Sequence, residues 1–271
     1  MTIRKHDDAV PGTWNFRDVG GVPTAGGVIR SGVLYRSAAL AQLDTAGLLA
    51  LESLGVREVF DLRGHREIAR EGVDRVPAGV RVTVAPFHPE DNETPAHEVQ
   101  QDGAQRDGAK RDAGQQVAGQ QDAGQPWTGA ARLRAYYAAI PTLAPAQQSV
   151  ATLLRTLATG SASVLVHCAA GKDRTGWAVS TVLRAVGVDQ DAVLADYLLS
   201  NTAVESLRTW MIAQYGDGAL RADNDILGVD ESYLRAGWDA ADAAFGSFDG
   251  YLEAIGVEHA LLGQLRARLV G

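Results

Sequence analysis

The chain has 271 residues, 46% of them apolar, enough to bury a sizeable core as one domain spanning 1–271. Its 33 acidic residues against 25 Lys and Arg leave a formal charge of −8, which argues against a broad basic face for nucleic acid or an anionic membrane and confines any anion chemistry to a local pocket. Cys168 is the one cysteine, so no intrachain disulfide can form; no apolar run approaches the roughly 20 residues of a transmembrane segment, and Lys5-His6-Asp7-Asp8 is too polar for an ordinary signal peptide. The expectation is a soluble protein, cytoplasmic or secreted without an ordinary signal peptide.

In chain order, Val28, Ile29, Val33, Leu34 and Tyr35 predict a hairpin between Gly27 and Ser37. Asp44 stands as N-cap before the helical stripe Leu48, Leu49, Leu51, Leu54. Val56 to Leu62 reads as a buried strand, Val80 to Val84 as a second and Ser163 to His167 as a third, with helical patterns between them. Such alternation predicts an α/β sheet with helices on both faces, whose ligand site lies beyond the carboxyl ends of the strands, where Asp61, Asp91 and Cys168 fall. Residues 101–125 break the rhythm. They divide into five Gln-, Asp-, Gly- and Ala-rich pentads with Val117 as the sole large apolar residue, a composition that predicts a disordered insertion because it cannot offset its ordering entropy. Beyond the third strand, Gly176 to Val186, Ala192 to Leu199, Val204 to Tyr215 and Val257 to Leu269 carry helical spacing, whereas Gly216 to Asp230 reads as loop.

The chemistry concentrates in His167-Cys168-Ala169-Ala170-Gly171-Lys172-Asp173-Arg174-Thr175-Gly176, set between a strand and a helix. Five residues between Cys168 and Arg174 let the backbone curl so that its N–H groups point inward, and the helix adds its positive end to the same focus. A phosphate dianion suits that cradle, and free phosphate or vanadate should fill it as inhibitors. Small Ala169, Ala170 and Gly171 allow close approach, Arg174 can take two oxygens at once, and the same field stabilises a Cys168 thiolate. Thr175 is placed to donate to the sulfur and His167 to brace the loop. The bland alternative is a buried strand-end cysteine before a solvated Lys-Asp-Arg helix start.

Beyond the loop, Asn15-Phe16-Arg17-Asp18-Val19-Gly20-Gly21, Leu34-Tyr35-Arg36-Ser37, Phe60-Asp61-Leu62-Arg63 and Ala195-Asp196-Tyr197-Leu198 occur in an order that resembles a bacterial branch of the cysteine-dependent protein-tyrosine phosphatases. The resemblance covers nearly the whole chain apart from the pentads. It implies a protein-tyrosine-phosphatase-like fold, a phosphocysteine intermediate, no metal or other cofactor, and phosphotyrosine as substrate, with phosphoserine, phosphothreonine and phosphoinositides as further candidates. It also implies a C-terminal helical lid over about 204–234.

The leaving group calls for a general acid and the incoming water for a base. Asp173, within the loop, is favoured by the resemblance, though it also suits a helix N-terminus as a plain charge. Asp61 can act as acid or orient Arg174 or Lys172, and Asp91 resembles the acid loop of dual-specificity phosphatases. Lys172, charged and inside the loop, joins the candidates. Arg17, Asp18 and Arg36 either brace the site or fix turns; His65, Arg66 and Arg70 form either a basic rim or a solvated helix face; Trp210, Tyr215 and Tyr233 line a groove or belong to the core. Two other functions fit the loop less well: a catalytically silent phospho-ligand binding module, and a rhodanese-like sulfurtransferase.

Overall fold

The computed structural model describes residues 9–88, 129–216 and 224–271; the pentads at 101–125 and the acid candidate Asp91 lie outside the described residues. Its centre is a five-stranded sheet in the order β1 (Arg17–Asp18), β4 (Leu34–Ser37), β7 (Ser163–His167), β5 (Val56–Asp61), β6 (Arg81–Val84). All neighbours are parallel except β1, which runs antiparallel to β4. The hairpin expected over Gly27 to Ser37 does not form. Instead β2 (Pro23–Thr24) pairs with β3 (Gly27–Val28), and Leu34–Ser37 runs inside the sheet. All four residues of β4 are buried, and a strand covered on both faces belongs within a sheet rather than in a solvent-facing hairpin.

Successive side chains on a strand point to opposite faces, and the core divides accordingly. Leu34, Phe60, Val164 and Val166 meet Leu153 and Leu154 of α4 (Ala144–Thr159) and Val179 and Val182 of α5 (Asp173–Ala185) on one face. Tyr35, Val59 and Leu165 meet Phe16 and Leu51 on the other, the latter from α1 (Thr45–Ser53). Asp44 caps α1 by accepting the Gly47 N–H at 2.8 Å. The chain is therefore α/β, a mostly parallel sheet flanked by helices.

Two helices outside the sheet sequence matter for the site: α2 (His65–Glu71), which follows β5, and α3 (Gly129–Ala139). After α5 come α6 (Gln190–Leu198), α7 (Val204–Tyr215), α8 (Asn224–Leu227), α9 (Glu231–Phe245), α10 (Phe248–Ala254) and α11 (His259–Leu269). The short α8 falls inside a stretch expected to be loop, because Ile226 and Leu227 are buried there. Among the described residues no helix is long and apolar enough to cross a membrane. Strand register sets Ser37 and Asp61 on either side of His167, so three parallel strands end together where Cys168 begins.

Candidate active site

Between β7 and α5 the loop Cys168–Lys172 turns on Gly171, whose φ of 67° is left-handed and whose missing Cβ would stand 2.1 Å from the Ser37 carbonyl oxygen. Each loop carbonyl is held from outside. Cys168 O accepts from His167 Nδ1 at 3.2 Å and Ala169 O from the Ala39 N–H at 3.1 Å. Ala170 O accepts from Asn15 Nδ2 at 3.2 Å, Gly171 O from Asn15 Nδ2 and Arg36 Nη2, both at 2.9 Å, and Lys172 O from the Gly176 N–H at 2.9 Å. In a planar trans peptide C=O and N–H point in opposite directions, so each carbonyl turned outward aims the next N–H inward. Among the described residues, the N–H groups of Ala169, Ala170, Gly171 and Lys172 donate to no other protein group. They form an anion-binding nest at the N-terminus of α5, with Cys168 at its base and 2% exposed.

Arg174 reaches Glu67 of α2 with both terminal nitrogens, Nη1 at 2.5 Å from Oε2 and Nη2 at 2.7 Å from Oε1. Glu67 Oε2 also accepts the Gly64 N–H at 2.9 Å, so the helix start fixes the carboxylate that fixes the arginine. Burial opposes the Arg174 charge, but Glu67 and then Cys168 outweigh it and hold the guanidinium protonated.

Asp61 does not take the part expected of it. Its oxygens accept from Arg63 Nε at 3.0 Å and Nη2 at 2.8 Å and from the Arg63 N–H at 2.9 Å, so the strand-end acid is consumed by the arginine two residues on rather than presented to Arg174 or Lys172. Arg63 also meets Asp74 at 2.9 Å, and Asp74 takes His167 Nε2 at 2.7 Å. Burial alone would lower the His167 pKa, yet Asp74 and Asp61 prevail and raise it to about 9, giving a positive ring directly before Cys168. Asp61, Asp74 and His167 cluster closely enough to suit a metal ion, but the Arg63 guanidinium already occupies that focus.

Lys172 likewise departs from expectation. A buried ammonium needs acceptors, and its Nζ finds the carbonyls of Ile226 and of Gly228, the latter at 3.1 Å, instead of lying over the nest. Its backbone N–H remains part of the nest. Asp173 is 6% exposed, with Lys172 Nζ 3.3 Å from Oδ2 and the Tyr137 hydroxyl of α3 donating to Oδ1 at 3.0 Å; Tyr197 of α6 donates in turn to Tyr137 at 2.8 Å. Burial foremost raises both tyrosine pKa values, so the hydroxyls stay as donors. Thr175 Oγ1 is buried with no hydrogen-bond partner, so the expected donation to sulfur is not made in this structure.

Two more side chains stand near Arg174. His88 Nε2 lies 3.1 Å from the Tyr136 hydroxyl, and burial, with the Arg174 charge second, pushes the His88 pKa down to about 4, leaving a neutral ring. Above the nest Ala170 packs in one apolar cluster with Leu207 and Met211 of α7, Leu227 of α8 and Trp14. Arg17 and Arg36 both pair with Asp196 of α6, at 2.9 and 2.8 Å, while Asp18 accepts the N–H groups of Gly20 and Gly32 as a turn brace. His65, Arg66 and Arg70 lie exposed on α2. Trp210 tilts against Trp14 at 5.7 Å and Tyr233 is buried against Tyr137; the side chain of Tyr215 lies outside the described residues. Glu67, Tyr137 and Asp74 were not singled out from sequence, and Asn15 entered only as part of the Asn15–Gly21 stretch, with no role given. Of the other three, only Glu67 had a local signal, standing three residues after Gly64 at a helix start.

Residues 9–271 match the model of the tyrosine phosphatase family. The triple specificity protein phosphatase PtpB of Mycobacterium tuberculosis is 38% identical over 284 aligned residues, covering 100% of both chains. A Cupriavidus necator protein whose name assigns it provisionally to the tyrosine-protein phosphatases is 34% identical over 262 residues, 95% of this chain and 87% of that one. A tyrosine-protein phosphatase of Nostoc commune is 32% identical over 122 residues, 42% of each.

Proposed function

The chain belongs to the tyrosine phosphatase family and hydrolyses phosphate monoesters, and we propose that it does so through a phosphocysteine on Cys168, with breadth across phosphotyrosine, phosphoserine or phosphothreonine, and phosphoinositides. The observation that carries the mechanism is the nest: inward N–H groups at a helix start, with Cys168 below and Arg174 aimed by Glu67. The name of the mycobacterial relative supports the substrate breadth.

In the first step the Cys168 thiolate forms the S–P bond as the P–O ester bond breaks, and the leaving oxygen takes a proton from an acid. Loop N–H groups and Arg174 hold the non-bridging oxygens, whose charge they stabilise most in the trigonal transition state. Water then attacks phosphorus, gives its proton to a base, and the S–P bond breaks to return the thiolate and inorganic phosphate. We assign the acid/base to Asp173, the candidate among the described residues that touches the loop, with Tyr137 and Lys172 positioning its two oxygens. Asp91 remains the rival acid. Residues around 204–234 act as the lid, supported by the packing of Leu207 and Met211 on Ala170. The pentads at 101–125 are dispensable for turnover, a view supported by their composition. The lone cysteine favours a reducing compartment, with export as the alternative.

The test is phosphate release from a phosphotyrosine peptide, a phosphothreonine peptide and a soluble phosphoinositide, comparing the parent with Cys168→Ser. Turnover that vanishes in the variant is the expected result. Turnover that survives Cys168→Ser, or thiocyanate formed from thiosulfate and cyanide, would reject the phosphocysteine route.

A further inference from the structure

Asn15 lies 156 residues before Gly171 in the chain, yet its side chain is the loop's most heavily used external contact, donating to two successive carbonyls from one nitrogen. It is 1% exposed and, with φ at 54°, is the sole non-glycine residue with a left-handed backbone among the described residues. Asparagine tolerates that conformation better than most residues, but holding it still costs energy, and buried strain persists only where the surroundings impose it. Those surroundings are visible. Arg17 Nη1 donates to Asn15 Oδ1 at 2.6 Å, and Arg17 is clamped in turn by Asp196 through Nε at 2.9 Å and by the Asp196 carbonyl through Nη2 at 2.8 Å. Arg17 can only donate, so it fixes which end of the Asn15 amide is oxygen. The NH₂ end must then face Ala170 and Gly171.

We infer that Asn15 is a positioning residue for phosphoryl transfer: its amide, oriented by Arg17, turns the Ala170 and Gly171 carbonyls outward and thereby aims the N–H groups of Gly171 and Lys172 at the phosphoryl oxygens. This assignment rests on the phosphatase role proposed for the loop. It also explains why an asparagine is needed at 15. Aspartate has the same shape but would set an acceptor against two acceptors, and glycine would relieve the backbone while removing the donor.

Asn15→Asp and Asn15→Gly separate these roles. For each, three quantities are measured beside the parent: thermal melting, the affinities for vanadate and inorganic phosphate, and the ratio of Cys168 alkylation rates by anionic iodoacetate and neutral iodoacetamide. Both variants should melt cooperatively, lose about tenfold or more in vanadate affinity with a smaller loss for phosphate, and lose the parent's preference for the anionic reagent. A folded variant that keeps the parent's vanadate affinity and reagent preference overturns the assignment. Failure of both variants to fold also overturns it, since Asn15 would then serve the fold rather than the loop. A parent that neither releases phosphate nor binds vanadate would instead overturn the phosphatase role itself, a result distinct from either.

Discussion

Glu67 meets Arg174 end-on, one carboxylate oxygen to each terminal nitrogen, from a helix 107 residues away in the chain. That contact engages both terminal nitrogens of the guanidinium, and Nη1 also donates to the Leu62 carbonyl at 3.3 Å. Replacing Glu67 by Gln keeps the shape but removes the charge, and should lower kcat/KM by about ten- to a hundredfold, as expected for one charge-assisted hydrogen bond. Glu67→Ala, which leaves a buried arginine unpaired, should also cost about 3–5 kcal/mol of stability in denaturant unfolding. Steady-state kinetics of a folded Glu67→Gln that match the parent would show that Arg174 needs no help in aiming.

Asp173 and Asp61 should part company under substitution. Asp173→Asn is expected to lose about a hundredfold or more in turnover of a phosphotyrosine peptide, and much less with an aryl phosphate whose leaving group needs no proton. Asp61→Asn should keep the parent's leaving-group dependence and lose stability by about 3–5 kcal/mol, because Arg63 is left with a broken buried pair. Leaving-group sensitivity that moved with Asp61 rather than Asp173 would reverse the assignment.

The Asp74–His167 pair predicts a pH dependence of folding. His167 titrates near about 9 in the folded protein, above an ordinary histidine, so its contribution is complete below about pH 6.5 and fades as the pH rises through about 9. The full effect is about 3 kcal/mol. Denaturant midpoints across that window should fall in the parent and fall less in Asp74→Asn, which is already without the pair. Parallel curves for the two proteins would place the raised pKa elsewhere.

How much of this was readable in the chain follows from distance along it. The loop from Cys168 to Arg174 was legible because its strand, its small residues and its helix start are contiguous, and the alternating faces of β5 and β7 carry their own pattern. Asn15, Glu67, Asp74 and Tyr137 reach their partners across 156, 107, 93 and 36 residues, and no local pattern encodes such pairings. Asp61 misled for the opposite reason. Its position at a strand end pointed to the loop, while its partner Arg63 stood only two residues away. In β4, a run of apolar and polar residues looked like half a hairpin because sequence does not reveal that Arg36 is buried against Asp196.

Leu207 offers a test of the proposed lid. It is 2% exposed in the small apolar cluster over Ala170, and Leu207→Ala should cost that cluster about 2–5 kcal/mol. If α7 opens separately from the rest, Cys168 alkylation by iodoacetamide should quicken about tenfold or more with little change in the global melt. A lowered melt with unchanged alkylation would make α7 an inseparable part of the domain.

The ion pair between Arg17 and Asp196 joins residues 179 apart, and it holds the asparagine that in turn holds the loop. A ribosome adding about 5–20 residues per second takes roughly 9 to 36 seconds to travel between them. Throughout that interval the emerging chain carries Asn15 and Arg17 without the carboxylate that locks them, and for most of it without Cys168. The nest therefore cannot be set until more than two-thirds of the polypeptide has been made, and a chain that stops short of Asp196 holds no reactive thiolate in a finished cradle.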